Sequence, residues 1–363
     1  MNKKINLFGM TKLQLQEFFL NLGEKKFRAN QFMQAVYQNY CDNINNIFNF
    51  NKNLRNKLLI QSEIKIPKII SEYISQDGTI KWILQISNQN IEIVYIPEKN
   101  RATLCISCQI GCALNCTFCA TAMQGFNRNL DSSEMIGQIW NAMKIVHTKN
   151  YTLKKITNIV FMGMGEPLLN LKQLISTINI ILDNHGFNLS KRRITISTAG
   201  ISHIIQNLGK VLDVKLAISL HAPNDILRNQ IMPINRKYNI CSLLSAAKKY
   251  ISVSKANQGK ISIEYVMLNK VNDSDNHAYQ LKNCLKNFPC KVNLIPWNCI
   301  PKSQYKPSNK NQIKKFSQIL KKNGIITTIR KQRGDSINAA CGQLSGIVAN
   351  RMYKRTNMLH KMP

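Results

Sequence analysis

Hydrophobic positions change their spacing near residue 100, and the change divides the chain into two patterns. Before it, apolar residues such as Leu15 and Phe19 recur at the spacing of short amphipathic helices. The β-branched segments Ile80–Ile86 and Ile91–Ile96 follow and partly alternate, which predicts a β-hairpin. We therefore expect residues 1–90 to form a small helical accessory domain that ends in a linking hairpin.

Apolar, strand-like runs alternate with helix-length segments in the rest of the chain. The predicted strands are Thr103–Cys108, Asn158–Met162, Arg193–Ser197, Val214–Leu220, Ile261–Met267, Lys291–Ile295 and Ile325–Arg330. Asp131 and Glu134 form a capping box, which marks the start of one intervening helix. Repeated strand–helix units predict an α/β fold with a parallel sheet, either doubly wound or a barrel. We assign residues 91–348 to this core and 349–363 to a basic C-terminal tail.

Several predicted strands end in polar or glycine-rich segments. These segments are Gly163–Glu166, Ser197–Gly200, Ser219–His221 and Pro296–Asn298. A single Ser or Asn at such a place is more often a helix cap than a ligand. Together, however, these segments fall at the carboxyl ends of successive parallel strands, where barrels carry their active sites. The pattern therefore predicts a site at this edge of the sheet.

Composition narrows the class of protein. Hydrophobic residues make up 44% of the chain, which is ordinary for a globular protein. No run approaches the roughly 18 apolar residues that a membrane span needs, and no apolar signal segment follows the start. We expect a cytoplasmic protein without a membrane partner.

The formal charge of +32 comes from 50 Lys and Arg residues against 18 Asp and Glu residues. One interpretation is a nucleic-acid partner, because clustered Lys and Arg neutralise phosphates. The other is a compositional bias, since Lys, Asn and Ile are frequent throughout. Residues 276–334 contain no Asp or Glu but include Lys314 and Lys315, which favours an RNA or DNA surface there. The basic helices of residues 1–90 are a second candidate surface.

Five of the eleven cysteines lie between positions 105 and 119. Cys112, Cys116 and Cys119 have the spacing C-x3-C-x2-C directly after a predicted strand. Three thiolates on one loop can hold three irons of a [4Fe–4S] cube and leave the fourth iron open to another ligand. A structural zinc site is the alternative, but it needs a second cysteine pair or histidines, and the nearest downstream histidine is His147.

At this point the sequence resembles a known family. The spacing C-x3-C-x-aromatic-C, with Phe118 as the aromatic residue, is the signature of radical SAM enzymes. Six segments in one order resemble the RlmN family of adenine-C2 methyltransferases: Arg101–Cys112, Gly125–Asn129, Gly163–Asn170, Ile196–Gly200, Ser219–Ala222 and Asn338–Gln343. The resemblance extends from Glu92 to Gln343. It implies a partial (β/α)6 TIM-like radical SAM barrel with a small helical accessory domain.

The resemblance also implies the cofactors and their ligands. Cys112, Cys116 and Cys119 hold a [4Fe–4S] cluster, and two molecules of S-adenosylmethionine (SAM) are used per turnover. The implied SAM-binding residues are Gly165, Glu166, Ser197, Ser219, Leu220, His221 and Asn298. Without the resemblance, His221 reads as a structural histidine.

Two further cysteines and one carboxylate take catalytic roles by the same resemblance. Cys341 matches the family's methyl-accepting cysteine, and Cys105 matches the cysteine that forms a transient disulfide with it. Glu92 matches the proton acceptor. From their chemistry alone, the cysteines read as small buried hydrophobes, and Glu92 reads as a solvated carboxylate. Cys108 stands where the family commonly has Ser, and we give it no role.

The implied product is 2-methyladenine in the peptidyl-transferase region of 23S rRNA and in tRNA, 3′ to the anticodon. The implied reductant is a carrier such as flavodoxin or ferredoxin, and we expect a monomer. Three alternatives remain open: a Cfr-type enzyme that methylates adenine C8, a radical SAM oxidoreductase with a second cluster, and a zinc-bound RNA-binding protein without catalysis.

Overall fold

The computed structural model describes residues 4–149, 153–301 and 303–345, so the predicted tail 349–363 lies outside the described residues. The strands are β1 Ile5–Asn6, β2 Ser62–Glu63, β3 Lys68–Ile74, β4 Ile80–Ile86, β5 Gln89–Pro97, β6 Ala102–Cys105, β7 Gln109–Gly111, β8 Phe126–Asn129, β9 Ile156–Phe161, β10 Ile194–Thr198, β11 Lys215–Ser219, β12 Ile261–Met267, β13 Cys290–Pro296 and β14 Ile326–Ile329. The α-helices are α1 Lys12–Asn21, α2 Phe27–Met33, α3 Lys52–Gln61, α4 Ala120–Met123, α5 Ser132–Thr148, α6 Leu171–Leu182, α7 Ser202–Leu208, α8 Asp225–Ile231, α9 Ile240–Val253, α10 Asp275–Cys284 and α11 Lys310–Lys322.

A ten-stranded sheet forms the centre of the molecule, in the order β14-β13-β12-β11-β10-β9-β6-β5-β4-β3. The seven strands from β6 to β14 in this order are parallel neighbours, with helices in the connections. Each corresponds to one of the seven predicted runs. The predicted α/β fold with a partial radical SAM barrel is therefore confirmed.

The predicted hairpin is also present, and it extends the same sheet. β4 and β5 pair antiparallel, and β5 pairs antiparallel with β6, the first strand of the parallel part. β3 adds an outer strand that the sequence pattern missed, because Ile70, Tyr73 and Ile74 face solvent and give no apolar alternation. The domain boundary at residue 90 remains a prediction.

Helix α5 begins at the capping box that the local sequence predicts. The Asp131 side chain accepts a hydrogen bond from the Glu134 N–H at 2.8 Å, and the Glu134 carboxylate accepts one from the Asp131 N–H at 3.0 Å. This is the predicted capping box. Behind it, Met135, Ile136 and Ile139 are fully buried, so the helix packs one apolar face on the sheet.

The N-terminal helices pack against α5 through aromatic side chains. The Phe8 and Trp140 rings meet edge to face at 6.3 Å, and the indole N–H of Trp140 donates to the Val36 carbonyl at 2.7 Å. The accessory segment is therefore anchored to the core by buried contacts. Within the described ranges, no helix is long and apolar enough to cross a membrane.

Candidate active site

A pocket opens at the carboxyl ends of the parallel strands. It brings together residues from the cysteine loop (residues 112–119), from the ends of the six parallel strands β9 to β14, and from the C-terminal loop. Nine predicted site residues line it: Cys112, Cys116, Cys119, Gly165, Glu166, Ser197, Ser219, His221 and Cys341. The strand ends and the clustered cysteines therefore line one pocket, as the sequence pattern predicts.

Tight backbone turns shape the cysteine loop. Gly111, at the end of β7, and Asn115 both have positive φ angles, of 75° and 53°, which Gly and Asn adopt most easily. The Cys119 N–H donates to the Cys116 carbonyl at 3.2 Å. Burial raises the pKa of the Cys112 thiol to about 12. A thiol in this setting ionises readily only when a cation replaces its proton, as metal ligation does.

The donor set fits an iron–sulfur cube. A structural zinc site closes its tetrahedron with four protein ligands, whereas this loop offers three cysteines and the nearest downstream histidine is His147. A cube instead bonds each cysteine to a different iron, so the three thiols need only share one wall of the pocket, as they do.

Gly165 and Glu166 form the side of the pocket next to β9. Gly165 has φ +94°, and a Cβ there would lie 2.4 Å from the Gln109 side chain, so no other residue fits. The Glu166 carboxylate accepts N–H bonds from Leu168 at 3.1 Å and from Ala199 at 2.8 Å. Burial raises the pKa of this carboxyl group. Each oxygen keeps a lone pair that could accept from an ammonium group.

His221 is neutral and holds the backbone in place. Burial lowers its pKa to about 3, with the nearby Arg228 as a second cause. Its Nδ1 accepts the Val266 N–H at 3.0 Å, which leaves the ring proton on Nε2. The residue adopts φ 59° and its ring meets Phe118 edge on at 5.0 Å. His221 therefore fixes the start of the loop after β11.

Two predicted SAM contacts do not line the pocket. Leu220 is fully buried, and its carbonyl accepts from Arg228 Nε at 3.0 Å. Asn298 is also buried, and its side-chain oxygen accepts a hydrogen bond from Gln332 at 3.1 Å. The structure therefore does not bring these two side chains to the pocket wall.

Cys105 and Cys341 lie close enough to interact electrostatically. Cys105 ends β6 and is buried; its pKa is raised to about 12, first by burial and then by the neighbouring Cys341. Cys341 is exposed, on a loop after β14. All eleven cysteines lie within the described residues and all are free thiols, so the predicted Cys105–Cys341 disulfide is absent from this structure.

Glu92 is a buried residue, not the solvated carboxylate that its residue type suggested. It is 4% exposed on β5, and its Oε1 lies 3.4 Å from Lys81 Nζ. Its Oε2 accepts the Ser345 N–H at 3.0 Å. Val94 pairs with Cys105 across the sheet, and Glu92 lies two residues from Val94, so Glu92 and Cys105 share one face.

Cys108 lies beneath the site and not on its wall. Its thiol points to the Met164 carbonyl at 3.5 Å, and the residue is 2% exposed. Burial raises its pKa well above the ordinary value for cysteine. It is a small buried residue of the core.

Sequence reasoning missed three charged residues at the site. Arg228 is fully buried on α8 and donates to the carbonyls of Ala199 at 2.6 Å and Ser219 at 3.1 Å. Glu264 and Arg330 line the pocket from β12 and from the end of β14. Nothing in their local sequence marked them, apart from one charged residue in the otherwise apolar β12.

The fold and the site together define a class of enzyme. A parallel partial barrel that carries C-x3-C-x2-C at its active-site edge is the arrangement of radical SAM enzymes, and the Radical SAM superfamily model matches residues 106–281. A second model, described as the ribosomal RNA large subunit methyltransferase N-terminal domain, matches residues 5–64.

Relatives identify the family. The chain is 68% identical over 355 residues to the dual-specificity RNA methyltransferase RlmN of Wigglesworthia glossinidia brevipalpis, covering 98% of this chain and 93% of the relative. A radical SAM methyltransferase from Sphaerobacter thermophilus has a similar crystal structure, with a TM-score of 0.87 and 37% identity, covering 94% of this chain and 99% of that one. The chain belongs to the RlmN family of radical SAM RNA methyltransferases. This family uses a [4Fe–4S] cluster and SAM, two molecules per turnover.

Proposed function

We propose that this enzyme methylates C2 of adenine in 23S rRNA and in tRNA, with Cys341 as the methyl carrier and Cys105 as the resolving thiol. The observation that carries the proposal is the pocket that Cys341 shares with the three clustered cysteines. The buried Cys105 lies outside the pocket wall, at the end of β6, and Cys341 is near enough to raise its pKa. The relative's printed name, a dual-specificity RNA methyltransferase, supports the two RNA classes.

The target carbon explains why an ordinary methyl transfer is insufficient. Adenine C2 lies between two ring nitrogens and is electron-poor, so it does not attack the methyl group of SAM directly. When bound, the cluster and SAM supply a methyl group and a radical strong enough to activate that methyl. We assign the cluster to Cys112, Cys116 and Cys119, and the SAM pocket to the polar strand ends around Glu166 and Ser219.

The chain's own residues perform the remaining steps. The Cys341 sulfur first receives the methyl group. After this methyl carbon loses one hydrogen atom to the radical derived from SAM, it bonds to adenine C2, and the adduct then loses one electron, which the cluster would accept. Glu92 accepts the C2 proton. The Cys105 thiolate then attacks the Cys341 sulfur, so that an S–S bond forms as the S–C bond breaks. The released electron pair stays on the carbon attached to C2, and a proton completes the methyl group.

The burial of Cys105 sets a requirement for this last step. A thiol whose pKa is about 12 is protonated at neutral pH, whereas only the thiolate attacks. Arg330 is the nearby cation that lowers the pKa of Cys105. We therefore assign Arg330 the role of stabilising the attacking thiolate. Two electrons must afterwards reduce the disulfide, and a carrier such as flavodoxin or ferredoxin donates them.

We also propose that RNA binds across the pocket mouth along the basic segment 276–334. Helix α11 follows β13 and presents Lys314 to solvent, while Ile313 and Phe316 face the core. Lys315 pairs with Asp275, so it contributes less free charge than Lys314. A target adenine must leave its stack to enter the pocket, which loops in RNA allow at low cost. The enzyme acts as a monomer. It acts in the cytoplasm, where both RNAs are found.

An anaerobic assay with 23S rRNA and tRNA fragments tests the proposal. We expect mass spectrometry of the digested RNA to show 2-methyladenosine with the wild type and none with Cys341→Ala. Cys105→Ala should accumulate a covalent protein–RNA adduct, because the S–C bond has no thiol to break it. Cys241→Ala, an exposed cysteine on α9, is the matched control and should behave as wild type.

Two results contradict the proposal. Methylation retained by Cys341→Ala excludes the methyl-carrier role even if the cluster is intact. A product that is 8-methyladenosine keeps the cysteine chemistry but replaces C2 by C8 as the target.

A further inference from the structure

A polar network joins the hairpin of β3 and β4 to the loop that carries Cys341. We call residues 334–345 the Cys341 loop and residues 75–81 the hairpin turn. Asp77 Oδ2 accepts the Gly334 N–H at 3.2 Å, and Ser75 Oγ lies 3.0 Å from Ser336 Oγ. The hairpin turn therefore contacts the first residues of the Cys341 loop.

Lys81 and Glu92 hold the rest of this loop. Lys81 is 8% exposed, and its Nζ lies 3.4 Å from both Glu92 Oε1 and the carbonyl of Asn338. Glu92 Oε2 in turn accepts the Ser345 N–H at 3.0 Å. One buried ion pair thus binds the backbone on both sides of Cys341, at positions three residues before it and four residues after it.

The opposite side of the loop rests on the helix that follows the clustered cysteines. The Ala120 N–H donates to the Gly342 carbonyl at 2.8 Å, and Thr121 Oγ1 donates to the Leu344 carbonyl at 2.7 Å. Cys341 therefore lies between two anchors, the hairpin on one side and α4 on the other. Apart from one short 3₁₀ turn, Asp335–Ile337, the loop has no regular structure of its own, so these contacts determine where the Cys341 sulfur stands.

We propose that the hairpin turn positions Cys341. Lys81 holds the Cys341 loop against Glu92, and Asp77 binds the first residue of the loop. This rests on the proposed role of Cys341 as methyl carrier. Both oxygens of Glu92 are engaged while the loop is in place. A displacement of the loop that withdraws the Ser345 N–H therefore frees Oε2 of Glu92 at the time when Cys341 leaves its starting position, while Lys81 stays paired with Oε1.

The test compares substitutions in the reconstituted holoenzyme. Lys81→Met keeps the side-chain length and removes the charge, and Lys81→Arg keeps the charge. Asp77→Asn weakens the contact at Gly334 and removes the ion pair with Arg333. The exposed Lys68 on β3 gives the matched control Lys68→Met. Three quantities are measured: methylation of Cys341 by SAM without RNA, KM for tRNA, and hydrogen exchange of the Gly334 and Ser345 amides.

We expect Lys81→Met to slow Cys341 methylation by about tenfold or more, since small displacements of reacting groups cost this much. Exchange at Ser345 should become faster, while iron content and KM for tRNA stay at the wild-type values. Lys81→Arg should recover most of the methylation rate. Asp77→Asn should accelerate exchange at Gly334 with a smaller loss of rate, and Lys68→Met should change nothing.

Unchanged exchange and unchanged Cys341 methylation in Lys81→Met overturn the inference. If Lys81→Met does not fold, Asp77→Asn decides in its place, and unchanged exchange at Gly334 overturns the positioning role. The proposed function fails separately, when the wild type itself shows no methyl group on Cys341. The exchange measurement at Gly334 and Ser345 still tests the contacts in that case.

Discussion

At the scale of single residues, burial changes what a side chain can do more than its residue type does. Cys105 and Glu92 illustrate this, because one reads as a small hydrophobe and the other as a surface carboxylate. In the fold both lie buried on one face of the sheet, near an exposed cysteine. Their chemistry therefore depends on neighbours outside their own strands, such as the distant Arg330 for Cys105 and Lys81 on the paired strand β4 for Glu92.

The reactivity of Cys105 should increase with pH. Its pKa is raised to about 12, so the thiolate fraction rises about tenfold per pH unit well below that value. We expect decay of the covalent RNA adduct in a single turnover to accelerate accordingly between about pH 7 and 9. Arg330→Gln should slow the decay at every pH, because it removes the cation that lowers the pKa. A decay rate independent of pH contradicts the assignment of Cys105 as the resolving thiol.

Arg228 should contribute both to the free energy of unfolding and to the affinity for SAM. Arg228→Met leaves the carbonyls of Ala199, Ser219 and Leu220 without this donor. Each carbonyl that loses its partner costs about 1–3 kcal/mol of stability. We expect the free energy of unfolding in urea to fall by about 3 kcal/mol or more, and SAM affinity to weaken. The exposed Arg236→Met serves as control, with a change of about 0.5 kcal/mol or less. Equal stability of the two variants contradicts this account.

At the scale of elements, local signals and tertiary packing agree in some places and differ in others. The capping box at Asp131 and the alternation of β4 are local, and both elements appear where the sequence predicts them. β3 is different, because its apolar side chains face solvent and only pairing with β4 makes it a strand. β14, the strand at the other edge of the sheet, was nevertheless predicted, because it is a β-branched run that follows a helix-length segment.

Removing the cap of α5 should destabilise the protein by a moderate amount. Asp131→Ala loses the bond to the Glu134 N–H, which is worth about 1 kcal/mol in most helices. Asp131→Asn keeps an acceptor at this position, so its free energy of unfolding should differ from that of the wild type by about 0.3 kcal/mol or less. Chemical denaturation of the three proteins measures the difference. If Asp131→Ala and Asp131→Asn destabilise the protein equally, the charge of Asp131 and not its hydrogen bond is responsible for the stabilisation.

At the scale of the whole molecule, charge and fold contribute to different properties. The net charge of +32 does not specify the barrel, which depends on apolar strands and helices. It does affect association with RNA, because each Lys or Arg near a phosphate releases counterions. The segment 276–334 has no acidic residue, and α11 displays part of it on the surface.

Reversing one charge on α11 should weaken RNA binding without impairing the chemistry on Cys341. We expect Lys314→Glu to lower tRNA affinity and to reduce the slope of log K against log salt by about one. Methylation of Cys341 by SAM alone should keep its wild-type rate. The exposed Lys248→Glu on α9 is the control for a general charge effect. Equal losses in Lys314→Glu and Lys248→Glu contradict a specific surface on α11.

The sequence by itself determined the parallel strands, the helix start at Asp131 and the cysteine loop. Each of these depends on spacing within a short segment: alternation in a strand, a four-residue cap, or three thiols on one turn. The resemblance then assigned roles to Cys105, Cys341 and Glu92, which spacing alone could not.

Only the tertiary structure decided which side chains meet across the chain. It buried Glu92 against Lys81, placed Arg228 beside three carbonyls at the ends of β10 and β11, and kept Leu220 and Asn298 away from the pocket wall. It also joined the hairpin turn to the Cys341 loop, although more than 250 residues separate them. The physical reason is that such pairs have no period or local motif: they form because burial requires partners for buried charges and backbone groups, and folding decides which partners are within reach.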